Sequence, residues 1–332
     1  MPGKKAAFNV IVIAISIALA AYLLSLVGAG DLVRILSSIR LAYLIPCALL
    51  YAASNLFKSM RLRVLIGERL PITRLFSISA AHNLFNQFMP ARSGELSLII
   101  MLRRYEGIKT GRGIAVLLMA RVFDFLALAA LFCLAVLSAG ALVPGLLSGV
   151  LAVTAFVSVI TAALLLLVFR GRLFLSLLGK AMDATGLARF RFAKYLFRKA
   201  SETVDAFGSM RLRKTIPASA GLTAVIWACM FLSYLLLVGA FGLQIGPGQT
   251  MVLTFVMMSL PLLPVYGAGG FGTTEAAVAI VLMAYGFPQA QAVAAGFGMH
   301  IILLLLIVAI GLLGLATVGR GRGRPTDHDS PA

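Results

Sequence analysis

Asn86-Gln87-Phe88-Met89-Pro90-Ala91-Arg92-Ser93-Gly94-Glu95 breaks an apolar stretch that runs from 75 to 102. Basic residues gather on both sides of it, from Lys58 to Arg74 and from Arg103 to Arg112. Cytoplasmic loops of membrane proteins collect Lys and Arg, so both clusters belong on one side of the bilayer. The stretch between them is too short to cross twice, because each arm of about 14 residues rises only about 21 Å against an apolar layer of about 30 Å. It therefore reads as a re-entrant pair of short helices, broken at Pro90 and Gly94. Non-helical backbone at membrane depth is tolerated only when it is buried in protein or lines a wet cavity.

A second break has the same form. Between 250 and 286, two short arms flank Pro261-Leu262-Leu263-Pro264-Val265-Tyr266-Gly267-Ala268-Gly269-Gly270-Phe271-Gly272, followed by Thr273, Thr274 and Glu275. Full spans are expected near 8–28, 41–57, 114–138, 147–169, 216–241 and 291–318. The order span, span, hairpin, span then occurs twice with opposite orientation. The expected fold is an all-α polytopic membrane protein with about six full spans and two re-entrant helical hairpins in an inverted repeat. One transmembrane domain covers 1–319, in halves of about 1–139 and 147–319, and a disordered cytoplasmic tail follows at 320–332. Weak internal symmetry with Gly/Pro-interrupted segments in matching places points to a site near the midplane.

Composition agrees. Of 332 residues, 61% are apolar and only 12% charged, with a mean hydropathy of +1.02, which excludes an ordinary soluble domain. The net charge of +18 would suggest a nucleic-acid partner in a soluble protein. Here 25 of the 29 basic residues fall in five blocks that the orientation rule puts in the cytoplasm, so no nucleic-acid partner is implied. Both termini are then cytoplasmic and the protein sits in the cell (inner) membrane. The block from Arg170 to Lys214 mixes cations with Phe and Leu, which suits either interfacial helices on anionic lipid or a solvated loop. Cys47, Cys133 and Cys229 stand far apart, so neither a disulfide nor a metal site is expected, and no cofactor.

Removing the loop charges leaves Arg92, Glu95, Arg121, Asp124 and Glu275 for the bilayer to hold, with His82 and His300 as further polar lining. A charge at the bilayer centre costs on the order of 3 kcal/mol, so these need partners or water. Arg121 and Asp124 share a helix face and read as a structural ion pair or as part of a site. Ser93 could cap the second arm of the first hairpin, with Glu95 favoured in its first turn by the helix dipole; Glu275 has the matching place in the other hairpin. His82, Asn83, Asn86 and Gln87 put a polar face on the arm before Pro90, which suits a cavity wall or interhelical hydrogen bonds. His300 reads as a hydrogen-bonded packing residue rather than a proton carrier. With Tyr266, these residues form the candidate headgroup cavity: Arg92, Glu95, Glu275, Asn83, Asn86 and Gln87.

The first break resembles the N-x-x-x-P-x-R-x-G-E signature of the lysylphosphatidylglycerol synthase transmembrane, or flippase-like, family. Pro264 through Glu275 is similar to its second signature, a proline, a glycine-rich loop and a glutamate. Ala120-Arg121-Val122-Phe123-Asp124 resembles its E-R-x-x-D element with Ala120 in place of the glutamate, and Met60-Arg61-Leu62-Arg63 the basic end of its second span. Where the family often has arginines, this chain has Leu98 and His300. The resemblance implies a region similar to the lipid-flipping membrane domain of multiple peptide resistance factor proteins, without the soluble aminoacyltransferase domain. It also implies membrane lipids as partners, with a homo-oligomer or a lipid-synthesis enzyme left open. Together with the charges, it suggests a translocase for a polar or anionic lipid. A membrane-embedded transferase or accessory subunit and a lipid-binding scaffold are the rivals.

Overall fold

The computed structural model describes residues 22, 37, 39–89, 93–138, 144–209, 212–262, 266 and 268–319. Among these the chain forms eleven α-helices and no strand. They are α1 (Leu44–Ile66), α2 (Ile72–Phe88), α3 (Glu95–Glu106), α4 (Thr110–Leu137), α5 (Pro144–Phe169), α6 (Gly171–Ala184), α7 (Arg191–Ser209), α8 (Leu212–Ala240), α9 (Pro247–Ser259), α10 (Thr273–Ala284) and α11 (Gln289–Val318). Five helical stretches are long and apolar enough to cross a membrane: Leu41–Ile66, Thr110–Leu137, Leu146–Phe169, Arg213–Ala240 and Gln289–Val318. The protein is an all-α polytopic membrane protein. All of the expected span at 8–28 except Tyr22, the tail 320–332, and Pro90, Arg92, Pro264 and Gly267 lie outside the described residues.

The two breaks are where the sequence puts them. The helices beside them, α2, α3, α9 and α10, have 17, 12, 13 and 12 residues, so each rises between about 18 and 26 Å, short of the ~30 Å apolar layer. Arg74, in the first turn of α2, lies 3.8 Å from Glu106 at the end of α3. The pair therefore begins and ends in one place. That place is also where α1 stops and α4 starts, since Arg112 donates to the Ile66 carbonyl and lies 3.7 Å from Glu68. At the tip the two arms touch through backbone: a Cβ on Gly94 would stand 2.4 Å from the Asn86 Cα.

Two expectations are corrected. The second span does not stop at 57; α1 continues through Lys58, Arg61 and Arg63 until Gly67 closes it at φ 74, its N–H donating to the Arg63 carbonyl at 3.0 Å. The cations that sequence reading gave to a loop are therefore on a helix wall. Ser93 does not cap α3. The N-cap position is Gly94, with no side-chain cap, although Glu95 is in the first turn as expected. Of the two readings left open for the stretch from 170 to 214, helices are present: it contains α6 and α7, and α7 lies on α4 where Glu202 crosses Gly111.

Long helices pair across the chain. At one end of α1, the Arg40 N–H donates to the Ala240 carbonyl at 3.0 Å and the Tyr43 ring fills the space over Gly239, so α1 runs antiparallel to α8. α2 packs on α11, where Gly311 faces Leu84, Gly314 faces Ser77 and Ala80, and Ser77 Oγ meets Thr317 Oγ1 at 2.7 Å. Small residues allow such close approach where no hydrophobic drive separates helix from lipid. α9 packs on α4, with the Phe132 and Phe255 rings 5.3 Å apart. Two apolar cores result. One gathers Leu65, Leu75, Leu102, Val116 and Phe207; the other gathers Leu128, Tyr234, Leu253, Leu282 and Phe297. Ionisable side chains lie between them.

Candidate functional site

α1 carries Tyr51, Asn55, Lys58, Arg61 and Leu62 at spacings of three or four, so they share one stripe, and that stripe faces the polar side of α2. Asn83 Nδ2 donates to Asn55 Oδ1 at 2.6 Å. Between them lies a cavity of about 270 Å³, walled by Lys58, Arg61, His82, Asn83, Asn86, Gln87, Arg121 and Asp124 from one side and by Trp227, Met258 and Ile307 from others. Its apolar walls, Phe125 with Leu128 and Leu62 with Leu98, come from the two cores.

The charges pair in a chain. Arg61, 5% exposed, grips Asp124 with both guanidinium nitrogens, Nη1 to Oδ1 at 2.7 Å and Nη2 to Oδ2 at 3.2 Å, and donates to Thr223 Oγ1 at 3.0 Å. Arg121 holds Glu95 in the same planar manner, with Nη2 2.7 Å from Oε1 and Nε donating to Oε2 at 3.1 Å. The expected Arg121–Asp124 contact exists, yet at 3.5 Å it is the longer link between two tighter pairs. Bidentate geometry of this kind is why arginine serves buried pairs. Lys58 has no carboxylate within ion-pair distance among the described residues. Three cations thus meet two carboxylates around the cavity, and the surplus charge is on Lys58. Asn86 adds a buried Oδ1 with no hydrogen-bond partner among the described residues.

His82 Nδ1 meets Ser97 Oγ at 3.0 Å while Ser97 donates to the Gly94 carbonyl at 2.6 Å, so His82 is the donor and bolts α2 to α3. Gln87 crosses to the second break, its Nε2 donating to Tyr266 Oη at 3.0 Å and to the Gly269 carbonyl at 2.8 Å. Gly269 has φ 67, Gly270 φ 79 and Gly272 φ 79, left-handed values that only glycine adopts cheaply and that turn the Gly269 carbonyl toward its two donors. The second of these donors is His300, whose Nε2 stands 2.9 Å away; its Nδ1 lies 2.7 Å from Glu275 Oε1. Pro261 sits in the short turn Leu260–Leu262 that ends α9, and Gly272 is the N-cap of α10.

The residues singled out from sequence therefore fall into two linked groups. Glu95, Arg121, Asp124, His82, Asn83, Asn86 and Gln87 stand at or just behind the cavity wall. Glu275, His300 and Tyr266 form a second cluster, joined to the first through Gln87 and not lining the cavity. Lys58, Arg61, Asn55 and Thr223 were not foreseen. Among the described residues no group of three or more His, Cys, Asp and Glu could hold a metal ion.

A family model for the lysylphosphatidylglycerol synthase TM region matches residues 9–311. The chain belongs to that family. The matched stretch contains every residue of the cavity wall and of the Glu275 cluster, so both groups are parts of this family's transmembrane region. A comparison with curated proteins gives no match. Membership links the protein to membrane lipid.

Proposed function

We propose that the chain is a translocase that moves a polar or anionic lipid between leaflets, with the headgroup passing through the cavity beside Lys58 and the acyl chains remaining in the bilayer. One observation carries this reading: a polar cavity between two apolar cores holds one more cation than carboxylate among the described residues. Its volume, about 270 Å³, lies at the lower end for small-molecule pockets, enough for a phosphodiester headgroup and too small for two acyl chains. Phosphate suits the surplus charge, and the free Asn86 carbonyl oxygen can accept from headgroup hydroxyl or ammonium.

The topology proposed with it has α2–α3 and α9–α10 as re-entrant hairpins entering from opposite faces, and about 1–139 with about 147–319 as the halves of an inverted repeat. The packing supports this: α1 lies on its counterpart α8, while α2 lies on α11 and α9 on α4, pairs that exchange under a two-fold axis in the membrane plane. The positive-inside rule puts the end holding Arg74, Glu106 and α7 in the cytoplasm, with both termini on that side. There the exposed Leu173, Leu177, Phe190 and Tyr195 of the basic helical segment would rest on anionic lipid. Single cysteines at 74 and 106 should label from the cytoplasmic side only; labelling from opposite sides would remove the hairpin and the repeat.

Reconstitution into liposomes, with a leaflet-resolved assay for phosphatidylglycerol and phosphatidylcholine probes, tests the function. Movement without chemical change supports translocation. A modified lipid would favour a transferase or accessory subunit, and binding without movement a scaffold. Lys58→Gln should weaken binding of the phosphatidylglycerol probe by about 10-fold or more, the effect of a lost charge-assisted hydrogen bond of about 1.5–3 kcal/mol, and binding of phosphatidylcholine less, because its choline already offsets the phosphate charge. No loss for either probe would disconnect Lys58 from the headgroup phosphate.

A further inference from the structure

Glu275 is completely buried and His300 is 3% exposed, and neither lines the cavity. Their neighbourhood is built for contact. Gly296, one turn before His300 on α11, lets that helix approach so closely that a Cβ there would lie 3.0 Å from the Glu275 carbonyl oxygen. One turn further on, the imidazole reaches the carboxyl group, and the Phe271 ring packs on it at 5.1 Å.

Counting hydrogens gives this pair a property beyond packing. The Gly269 carbonyl only accepts, so His300 Nε2 must carry a hydrogen to make the 2.9 Å contact. The 2.7 Å contact between Nδ1 and Glu275 Oε1 needs a second hydrogen, placed on either atom. A neutral imidazole beside an ionised carboxylate supplies only one. One of the two contacts must then break, because two lone pairs would face each other. The second hydrogen is the exchangeable one: it leaves as a proton and the pair becomes one unit more negative. Glu275 Oε2 points the same way, since it is buried without a partner among the described residues, and an ionised carboxylate with a bare oxygen is costly in apolar surroundings.

We propose that Glu275 and His300 form a proton-exchanging site, and that its proton holds the tip of the second hairpin against the first. The mechanical link is the Gly269 carbonyl, which receives both His300 and Gln87 of α2. Gln87 is also in the cavity wall. Loss of the proton frees the Gly269 turn or swings the Glu275 carboxylate away, and either movement is passed to the cavity. Tyr266 is close enough to interact electrostatically with Glu275. No Lys, Arg or Asp lies within ion-pair distance of the pair among the described residues, and His82 on α2 is engaged with Ser97. In the translocase reading, on which this consequence rests, lipid movement is coupled to protons.

Two measurements on the full chain in phosphatidylglycerol-containing vesicles test this. Infrared difference spectra between acid and alkaline buffer should show a carboxyl or imidazole band that disappears in Glu275→Gln. The amide of that variant can donate to Nδ1 and preserve both contacts without an exchangeable proton, so assembly and melting temperature should hold. Leaflet-resolved movement of the phosphatidylglycerol probe should respond to an imposed gradient of about two pH units, for which one proton per lipid allows up to about 100-fold asymmetry. The variant should lose that response. A Glu275-dependent band with no lipid movement under any gradient supports the proton site and removes the translocase. Movement indifferent to the gradient, with no such band in the unmodified chain, overturns the proton site and leaves the translocase standing. A gradient response that survives in Glu275→Gln also overturns it.

Discussion

Asp124→Asn should destabilise the folded protein by about 3–5 kcal/mol, the cost of removing one partner from a buried ion pair and leaving the other charged. The loss is at the upper end because Asp124 serves two arginines. The asparagine oxygen still accepts one hydrogen bond, so Arg61 would lose its second bond and its counter-charge while keeping Thr223, and Arg121 would keep Glu95. Set against a typical total stability of 5–15 kcal/mol, this should show as a sharply lower melting temperature in lipid and reduced yield. Lipid binding per folded molecule should fall far less. The double change Arg61→Met with Asp124→Leu should recover much of the stability, because it removes both charges at once and replaces them with apolar bulk. An unchanged melting temperature with abolished lipid movement would instead make Asp124 a transport residue. The distinction separates the neutralised part of the network, Arg61, Asp124, Arg121 and Glu95, from Lys58, which has no carboxylate within ion-pair distance among the described residues.

The sequence showed the architecture through its interruptions. Pro90, Gly94, Gly269 and Gly272 mark places where a helix cannot continue, and the flanking apolar runs are shorter than a full span, so two pairs of short helices follow from length alone. The polar face of α2 was legible for the same reason, since His82, Asn83, Asn86 and Gln87 break a run of Ala, Leu and Phe. What was hidden was pairing across distance. Lys58 and Arg61 looked like the loop end of a short span, because a cation is expensive in a membrane unless neutralised, and the neutralising Asp124 is 63 residues further on. A local sign existed: Tyr51, Asn55, Lys58 and Arg61 recur at helical spacing, and no glycine closes the helix before Gly67. The Glu275–His300 contact was hidden in the same way. Its sequence trace is Gly296, a small residue one turn before His300 within the mostly small-residue run Ala294-Ala295-Gly296-Phe297-Gly298.

Gly94→Ala should be as damaging as any single methyl group added to the protein. Its Cβ would lie 2.4 Å from the Asn86 Cα and 2.5 Å from the Phe85 carbonyl oxygen, both backbone atoms that cannot rotate aside. Relief requires the two arms of the first hairpin to separate at the tip. Overpacking of this kind costs about 1–3 kcal/mol or more, and here the displaced backbone carries function with it. Glu95 is the next residue and holds Arg121; Ser97 follows and holds His82. Moving the start of α3 therefore weakens the Glu95–Arg121 pair as well as the hairpin, and the freed guanidinium faces the cavity. The control is Gly107→Ala at the other end of α3. Gly107 also has a constrained conformation, φ 68, but a Cβ there meets nothing within 4 Å, so its cost should stay near the ~1 kcal/mol of left-handed alanine. The expected result is a melting temperature much lower for the change at 94 than for the change at 107, together with altered affinity for the anionic probe only in the former. Equal, small shifts would mean that the tips of α2 and α3 are not in backbone contact in the membrane, and that Glu95 reaches Arg121 by some other path of the chain.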